Sequence, residues 1–405
     1  MVDGAAREYL AAVAAARGAD ERGRREARRA ADRIRLQGYR RACQSWITAR
    51  LTPATRARAE RVWFWFNHFN VFWRKGVVGA ALPDYLDTAI APHVDGRFVV
   101  LLRAAVTHPA MLVYLDGVNN RAGGLNENLA RELLELHTLG VHGGYAQADV
   151  QEVARVLTGL RLSPLERRNW PARLQAQVRD DGRTLFDPRL HDDGVKHVLG
   201  RRIAGEGIEQ VDALLALLAR QPATARHVAQ RLCLHQWGTA VDAAAVDCTA
   251  AAFMASDGDL AAVHAACTGV PAAPADRFKD PMRWTFSALD WLLQGQVPRS
   301  VERVPRWLAY LGQPLFACPT PDGYSLDGRD WLDAGALLRR FEVAREMVRF
   351  LPEMAPEAAA DRGLEALLAA ARDTATPALR GAMAAAASRE HAAALVLSSP
   401  DFMHW

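Results

Sequence analysis

No run of about eighteen apolar residues occurs anywhere in this 405-residue chain, so no helix is expected to span a bilayer. The first 30 residues are rich in charge and hold no apolar leader core, and the chain as given therefore reads as cytoplasmic. The alternative is export, if a leader has been removed. Cysteine is scarce: Cys43, Cys233, Cys248, Cys267 and Cys318 are odd in number and widely spaced, which reads as thiols and excludes a disulfide framework or a zinc ribbon. Alternating strand patterns are few, no Gly-rich phosphate loop follows a strand, and neither G-x-S-x-G nor H-E-x-x-H occurs. These gaps set aside the common nucleotide, serine-hydrolase and zincin readings. No repeat of constant period is found.

No Pro/Gly/Ser linker divides the chain either. The simplest organisation is an Arg/Ala-rich helical N-terminal region over residues 1–60 and one large helical domain over 61–405, an all-α body of bundle-like helices with a helical extension. The net charge of +4 is small for this length, but arginine is concentrated between Arg17 and Arg61. Alanine and arginine both favour helix, and no aromatic stacking platform is built into the run. A solvated helix face or a partner-binding arm is preferred over a nucleic-acid surface.

What the chain does have is polarity placed inside apolar patterns. The segment GGLNENLARELLELHTLGVHGGYAQADVQEVARVLTG, residues 123–159, opens with a helical stripe of Leu129, Leu133, Leu136 and Leu139, bounded by Asn126 and Gly140. Glu132 and Glu135 are neighbours on that helix, Glu127 and Arg131 can pair along another line, and His137 lies beside the leucines. Glu135 and His137 point about 200° apart, which argues against a metal site on this helix alone. A second helix is expected behind Gly143-Gly144, with Asp149 as N-cap and Glu152 completing a capping box. Upstream, RVWFWFNHFNVFWRKG (residues 61–76) sets Asn67, His68 and Asn70 among seven aromatics, and a run that dense must be mostly buried. A helix is expected from Phe98 to Val106, and His108 before Pro109 suits a second helix start. Residues 185–200, LFDPRLHDDGVKHVLG, gather His191, Asp192, Lys196 and His197 on a turn. Two amphipathic helices are expected between 207 and 238. In the second, His227, Arg231 and His235 share one line, read as a polar stripe.

These motifs resemble a bacterial family known as domain of unknown function 1800. The resemblance is carried by FWFNHFNVF, GRFVVLLRAAVTHPAMLVYLD, the 123–159 segment, FDPRLHDDGVKHVLG, LGQPLFACPTPDGY and the closing SSPDF, over roughly residues 40–405. It places His68, His108, Asn126, Glu127, Asn128, Arg131, Glu132, Glu135, His137, His191, Asp192 and Lys196 in signature segments. It also implies that relatives often carry an export leader and accompany a sulfatase-like protein. The proline loop ends in Tyr324, where the family pattern has a Gly-Trp.

Two readings of function follow. In the first, an all-helical enzyme has a polar pocket in which His68, Glu132, Glu135 and His191 hold a divalent transition metal, with His108 or His137 as acid/base. Arg131 or Lys196 would then hold an anionic group, and Asn126, Asn128 and Asp192 would contact a cofactor, for hydrolytic or oxidative chemistry. In the second, a non-catalytic partner-binding or maturation protein uses the same groups as a buried polar network. An open polar cavity where the segments converge favours the enzyme. Carboxylates closed onto Arg131, Arg155 and Lys196 favour the scaffold.

Overall fold

Asp20 separates the first two helices, α1 (Gly4–Ala15) and α2 (Glu21–Leu51), because its carboxylate accepts the Gly23 N–H at 2.7 Å and so caps the second. The computed structural model describes residues 4–164, 170–238, 242–269 and 278–404. Among these, 66% are helical and 4% are in strands, an all-α fold. Most of the arginines of α2, Arg28, Arg29, Arg33 and Arg40 among them, face solvent, while Ala31, Gly38, Ala42, Trp46 and Ile47 are buried. Small residues on that buried face let α2 approach α4 (Val78–Asp84) closely: a Cβ on Gly38 would lie 2.3 Å from the Gly79 carbonyl oxygen.

Between them runs α3 (Arg56–His68), the aromatic segment, in which every residue from Val62 to His68 is buried. A segment apolar all round must be enclosed on all sides, and the second half of α3 is, while Ala57, Arg58 and Glu60 of its first half are exposed. Trp46 of α2 packs edge-on to Phe286 at 5.3 Å and Phe316 at 6.4 Å, so the N-terminal helices share one continuous core with the rest of the chain. Beyond α4 the chain makes a π-helical stretch, Tyr85–Ile90, then α5 (Phe98–Thr107) and α6 (Pro109–Tyr114). His108 caps α6 as expected, its Nδ1 accepting the Ala110 N–H at 3.1 Å.

The leucine-striped helix forms as α7 (Asn128–Glu132) and continues as a π-helical turn over Leu133–His137. Leu129, Leu133, Leu134 and Leu139 are buried, with Leu136 half-buried. The next helix, α8 (Gln147–Val156), starts earlier than the Asp149 cap predicted. Ala146 is the N-cap residue and Asp149 stands at the third position, accepting the Ala146 N–H at 2.8 Å. Three short antiparallel strands follow, β1 (Leu160–Leu162), β2 (Arg179–Asp180) and β3 (Thr184–Phe186), in the order β1-β3-β2 with Leu160 opposite Phe186. The short helix α9 (Ala172–Gln175) lies between the first two, and β4 (His197–Val198) pairs with β5 (Arg201–Arg202).

The remaining described elements are mainly helices: α10 (Ile208–Ala219), α11 (Pro222–Trp237), α12 (Ala243–Ala255), α13 (Leu260–Gly269), α14 (Pro281–Leu293), α15 (Val304–Tyr310), α16 (Ala334–Met354), α17 (Glu357–Thr374), α18 (Pro377–Ala384), α19 (Arg389–Leu397) and α20 (Pro400–Met403). Among the described residues no helix is long and apolar enough to cross a membrane. All five cysteines are free thiols.

The close crossing of α2 and α4 makes a stability prediction. Gly38→Ala forces the helices apart and costs about 1–3 kcal/mol, as overpacking does. Urea unfolding of the variant against wild type measures it, and an unchanged midpoint would show that the crossing relaxes freely.

Candidate functional site

A helix leaves its last carbonyls without partners, and the end of the π-helical turn shows where they go. The Thr138 hydroxyl donates to Leu133 O at 2.6 Å and the Gly140 N–H to Leu134 O at 3.2 Å. The Leu136 carbonyl accepts from His227 Nε2 of α11 at 2.9 Å, and the His137 carbonyl from His68 Nε2 of α3 at 3.1 Å. His137 returns the bond, its Nδ1 donating to the His68 carbonyl at 3.0 Å. Gly140, at φ +82°, turns the chain away where a Cβ would stand 3.0 Å from His227 Nδ1. His227 and Arg231, expected as a polar stripe, thus face the interior.

The cluster is kept neutral by burial. Burial, with the nearby Arg231 charge, holds His68 well below the ordinary imidazole range, and burial pushes His137 down to about 3. Arg231 itself is lowered to about 10 by burial; it donates to the Asp322 carbonyl at 3.2 Å.

The outer face of α7 is a second polar group. Arg131 bridges Glu127 at 3.1 Å and Gln147 at 2.9 Å and lies 3.6 Å from Glu135. Asn126 uses its side chain locally, accepting the Asn128 N–H at 3.0 Å, while Asn120 accepts the Asn126 N–H at 3.0 Å and donates to the Ala154 carbonyl at 2.7 Å. Asn128 is exposed. Glu132 differs: it is half-buried, and among the described residues no hydrogen bond or ion pair reaches its carboxylate. Burial first, then the charges of Glu135 and Asp322, raise its pKa.

The loop after β3 forms a third group. Lys196 is fully buried and donates to Gln210 Oε1 at 2.5 Å, to His191 Nε2 at 3.3 Å and to the Asp192 carbonyl, so all three ammonium protons are used. His191 Nδ1 lies 2.9 Å from the Thr158 carbonyl. Arg155 grips Asp192 with two bonds of 3.0 Å and Glu152 with one of 2.6 Å. The Arg155 hydrogen bonds hold the Asp192 carboxyl down at about 2. Glu152 and Asp149 then accept the backbone N–H groups of His197 and Leu199, fastening the β4–β5 hairpin to α8.

His108 belongs to a fourth group. Its Nε2 lies 3.2 Å from Asp84, which Arg183 holds bidentately at 2.7 and 2.9 Å. Burial alone would raise Asp84, but the bonds from His108 and Arg183 outweigh it and hold the carboxyl at about 2. Asn67 pairs in both directions with the Tyr324 backbone at 2.9 and 2.8 Å, and Asn70 donates to the Cys318 and Thr320 carbonyls. The Tyr324 ring stacks on Trp63 and its hydroxyl donates to the Pro314 carbonyl, so the altered aromatic is a packed one.

Of the candidates, then, His68 and His137 meet, and Asp192, His191 and Lys196 meet elsewhere. The expected metal set His68, Glu132, Glu135 and His191 does not assemble: among the described residues no group of three or more His, Cys, Asp or Glu side chains is placed to hold a metal ion. His68 and His191 turn a nitrogen to backbone carbonyls of different elements, and Glu135 lies against Arg131. Asp84, Thr158, Arg183, Gln210 and Asp322 were missed. Each sits far along the chain from its partner, in segments whose local pattern is ordinary.

A family model described as protein of unknown function (DUF1800) matches residues 3–404. The chain belongs to the DUF1800 family. The match takes in α1 and most of α2, beyond the limit near residue 40 drawn from motifs alone. No curated protein and no solved structure matches this DUF1800 chain.

The buried histidines give the DUF1800 chain a pH dependence. An unfolded imidazole takes its proton near pH 6.5, whereas His137 in the fold waits until about 3. The unfolded chain therefore binds more protons between those values, and stability complete above 6.5 falls on acidification by about 1.4 kcal/mol per pH unit from this residue. Melting curves at pH 7, 6 and 5 check it. His137→Asn, which can keep a donor to the His68 carbonyl, should flatten the slope, and an unchanged slope would assign the effect to other groups.

Proposed function

We propose that this DUF1800 chain is a non-catalytic partner-binding or accessory protein in which the signature polar residues hold the fold. The observation that carries the reading is closure. Asp192 and Glu152 are paired with Arg155, Glu127 and Glu135 with Arg131, and Lys196 has an acceptor for each of its protons. Catalytic groups in contrast are commonly kept against the interests of stability. A rigid body of this kind leaves its outer faces for contact, and the exposed arginines of α2 suit a partner of acidic surface.

Stability separates the readings. Lys196→Met leaves the His191 nitrogen, the Gln210 oxygen and the Asp192 carbonyl without their donor, at a cost of about 1–3 kcal/mol for each acceptor that stays dry. A double-mutant cycle of Arg155→Gln and Asp192→Asn should give a coupling of about 1–3 kcal/mol. Variants as stable as wild type would overturn the accessory reading.

One observation favours an enzyme as the second reading: Glu132, half-buried, without a hydrogen-bond or ion-pair partner among the described residues and crowded by two carboxylates, has the environment of a general acid or base. Glu132→Gln relieves that repulsion and is expected to raise the melting temperature at pH 7. A fall would make Glu132 another structural group and remove the second reading.

A further inference from the structure

The sulfur atoms of Cys233 on α11 and Cys267 on α13 are 3.6 Å apart, and both residues are buried, 0% and 1% exposed. They are 34 residues apart in sequence, with α12 lying between them in the chain. The surroundings favour reaction over simple packing. The Cys267 thiol donates to the Cys233 sulfur, and the Thr249 hydroxyl of α12 stands 3.5 Å from that same sulfur. Trp237 Nε1 donates to the Cys267 carbonyl at 2.8 Å, anchoring the second cysteine to the end of α11. The hydrogen bond from Cys267 lowers the Cys233 thiol while that of Cys267 is raised, so Cys233 is the member of the pair that gives up its proton more readily.

We propose that Cys233 and Cys267 are an oxidisable dithiol that a small peroxide converts into a disulfide joining α11 to α13. The oxidant is small because neither sulfur reaches the surface; a protein disulfide could not approach either one. The Cys233 thiolate attacks one peroxide oxygen, the O–O bond breaks, and hydroxide leaves a sulfenic acid behind. Cys267 gives its proton to the hydroxide and attacks the sulfenic sulfur, the S–O bond breaks, and the departing hydroxide takes up a proton as water. Two thiols and one peroxide become one disulfide and two waters. The sulfurs, 3.6 Å apart, must close to about 2.05 Å, a movement of about 1.5 Å. Because α11 also carries His227 and Arg231, the bond fixes the helix that closes the histidine cluster.

The test is peptide mapping of the wild-type chain. Cys248, the exposed cysteine, is alkylated first on the folded protein, dilute hydrogen peroxide is added, and the remaining thiols are blocked under denaturing conditions. The expected result is loss of two hydrogens in the intact mass, a peptide pair linked through Cys233 and Cys267, reversal by a reducing agent, and a higher melting temperature for the oxidised chain. Cys267→Ser should leave Cys233 trapped as sulfenic acid, detectable with a dimedone-type reagent. Peroxide that leaves both as thiols, or that carries Cys233 to sulfinic acid in wild type with Cys267 untouched, overturns the proposal.

Discussion

The reciprocal bond between His68 and His137 is the constraint on which the arrangement of the signature segments depends. Each imidazole donates its ring N–H to the other residue's backbone carbonyl. Two helix ends that would otherwise bury unsatisfied oxygens thereby satisfy each other, and a buried carbonyl without a donor costs about 1–3 kcal/mol. His227 supplies the Leu136 carbonyl in the same way from α11. Three elements distant in sequence are thus held at one point by neutral imidazoles, and burial keeps them neutral.

From that point the rest of the interior can be followed outward. The second half of α3 is enclosed on every side, so Asn67 there and the buried Asn70 just beyond it are satisfied by backbone brought to them. The 318–324 loop does this, presenting the Cys318, Thr320 and Tyr324 carbonyls to Asn70 and Asn67. Gly323 lets that loop come near: a Cβ there would lie 2.3 Å from the Asn67 carbonyl oxygen. Asn120 performs the same service between the 126 segment and α8, and Lys196 between the His191 loop and Gln210 of α10.

How much of this could be read from the sequence divides along physical lines. Helices announced by period and by local capping were legible: the Phe98 helix and His108 at the start of α6 both follow from residues within a turn of one another, and the burial of the aromatic run follows from its density. The π-helical turn at Leu133–His137 was not, because shifting a hydrogen bond from four to five residues leaves the hydrophobic pattern nearly unchanged. Asp149 was misplaced by three residues because a carboxylate suits both the cap itself and the third helical position that reaches back to it. The stripe of His227 and Arg231 shows what periodicity withholds. It assigned the residues to one line of α11 but could not say that the line faces α3 and not water. The site suffered most, since His68 meets a partner 69 residues away and Asn67 one 257 residues away.

The polarity of the DUF1800 segments invites an active-site interpretation, yet helix ends meeting inside a large body create the same demand without any chemistry. Apolar side chains can fill the space between converging helix ends, but they cannot donate to the carbonyls exposed there. Histidine, asparagine and lysine can, and each does so here with its ring, amide or ammonium directed at backbone oxygen. Such a network also fixes register, because a shift of one residue would break several bonds together. Glu132 is the exception that gives this argument its edge. It lies in the same segment and has no such partner among the described residues, so a structural demand that explains its neighbours leaves this one carboxylate unexplained.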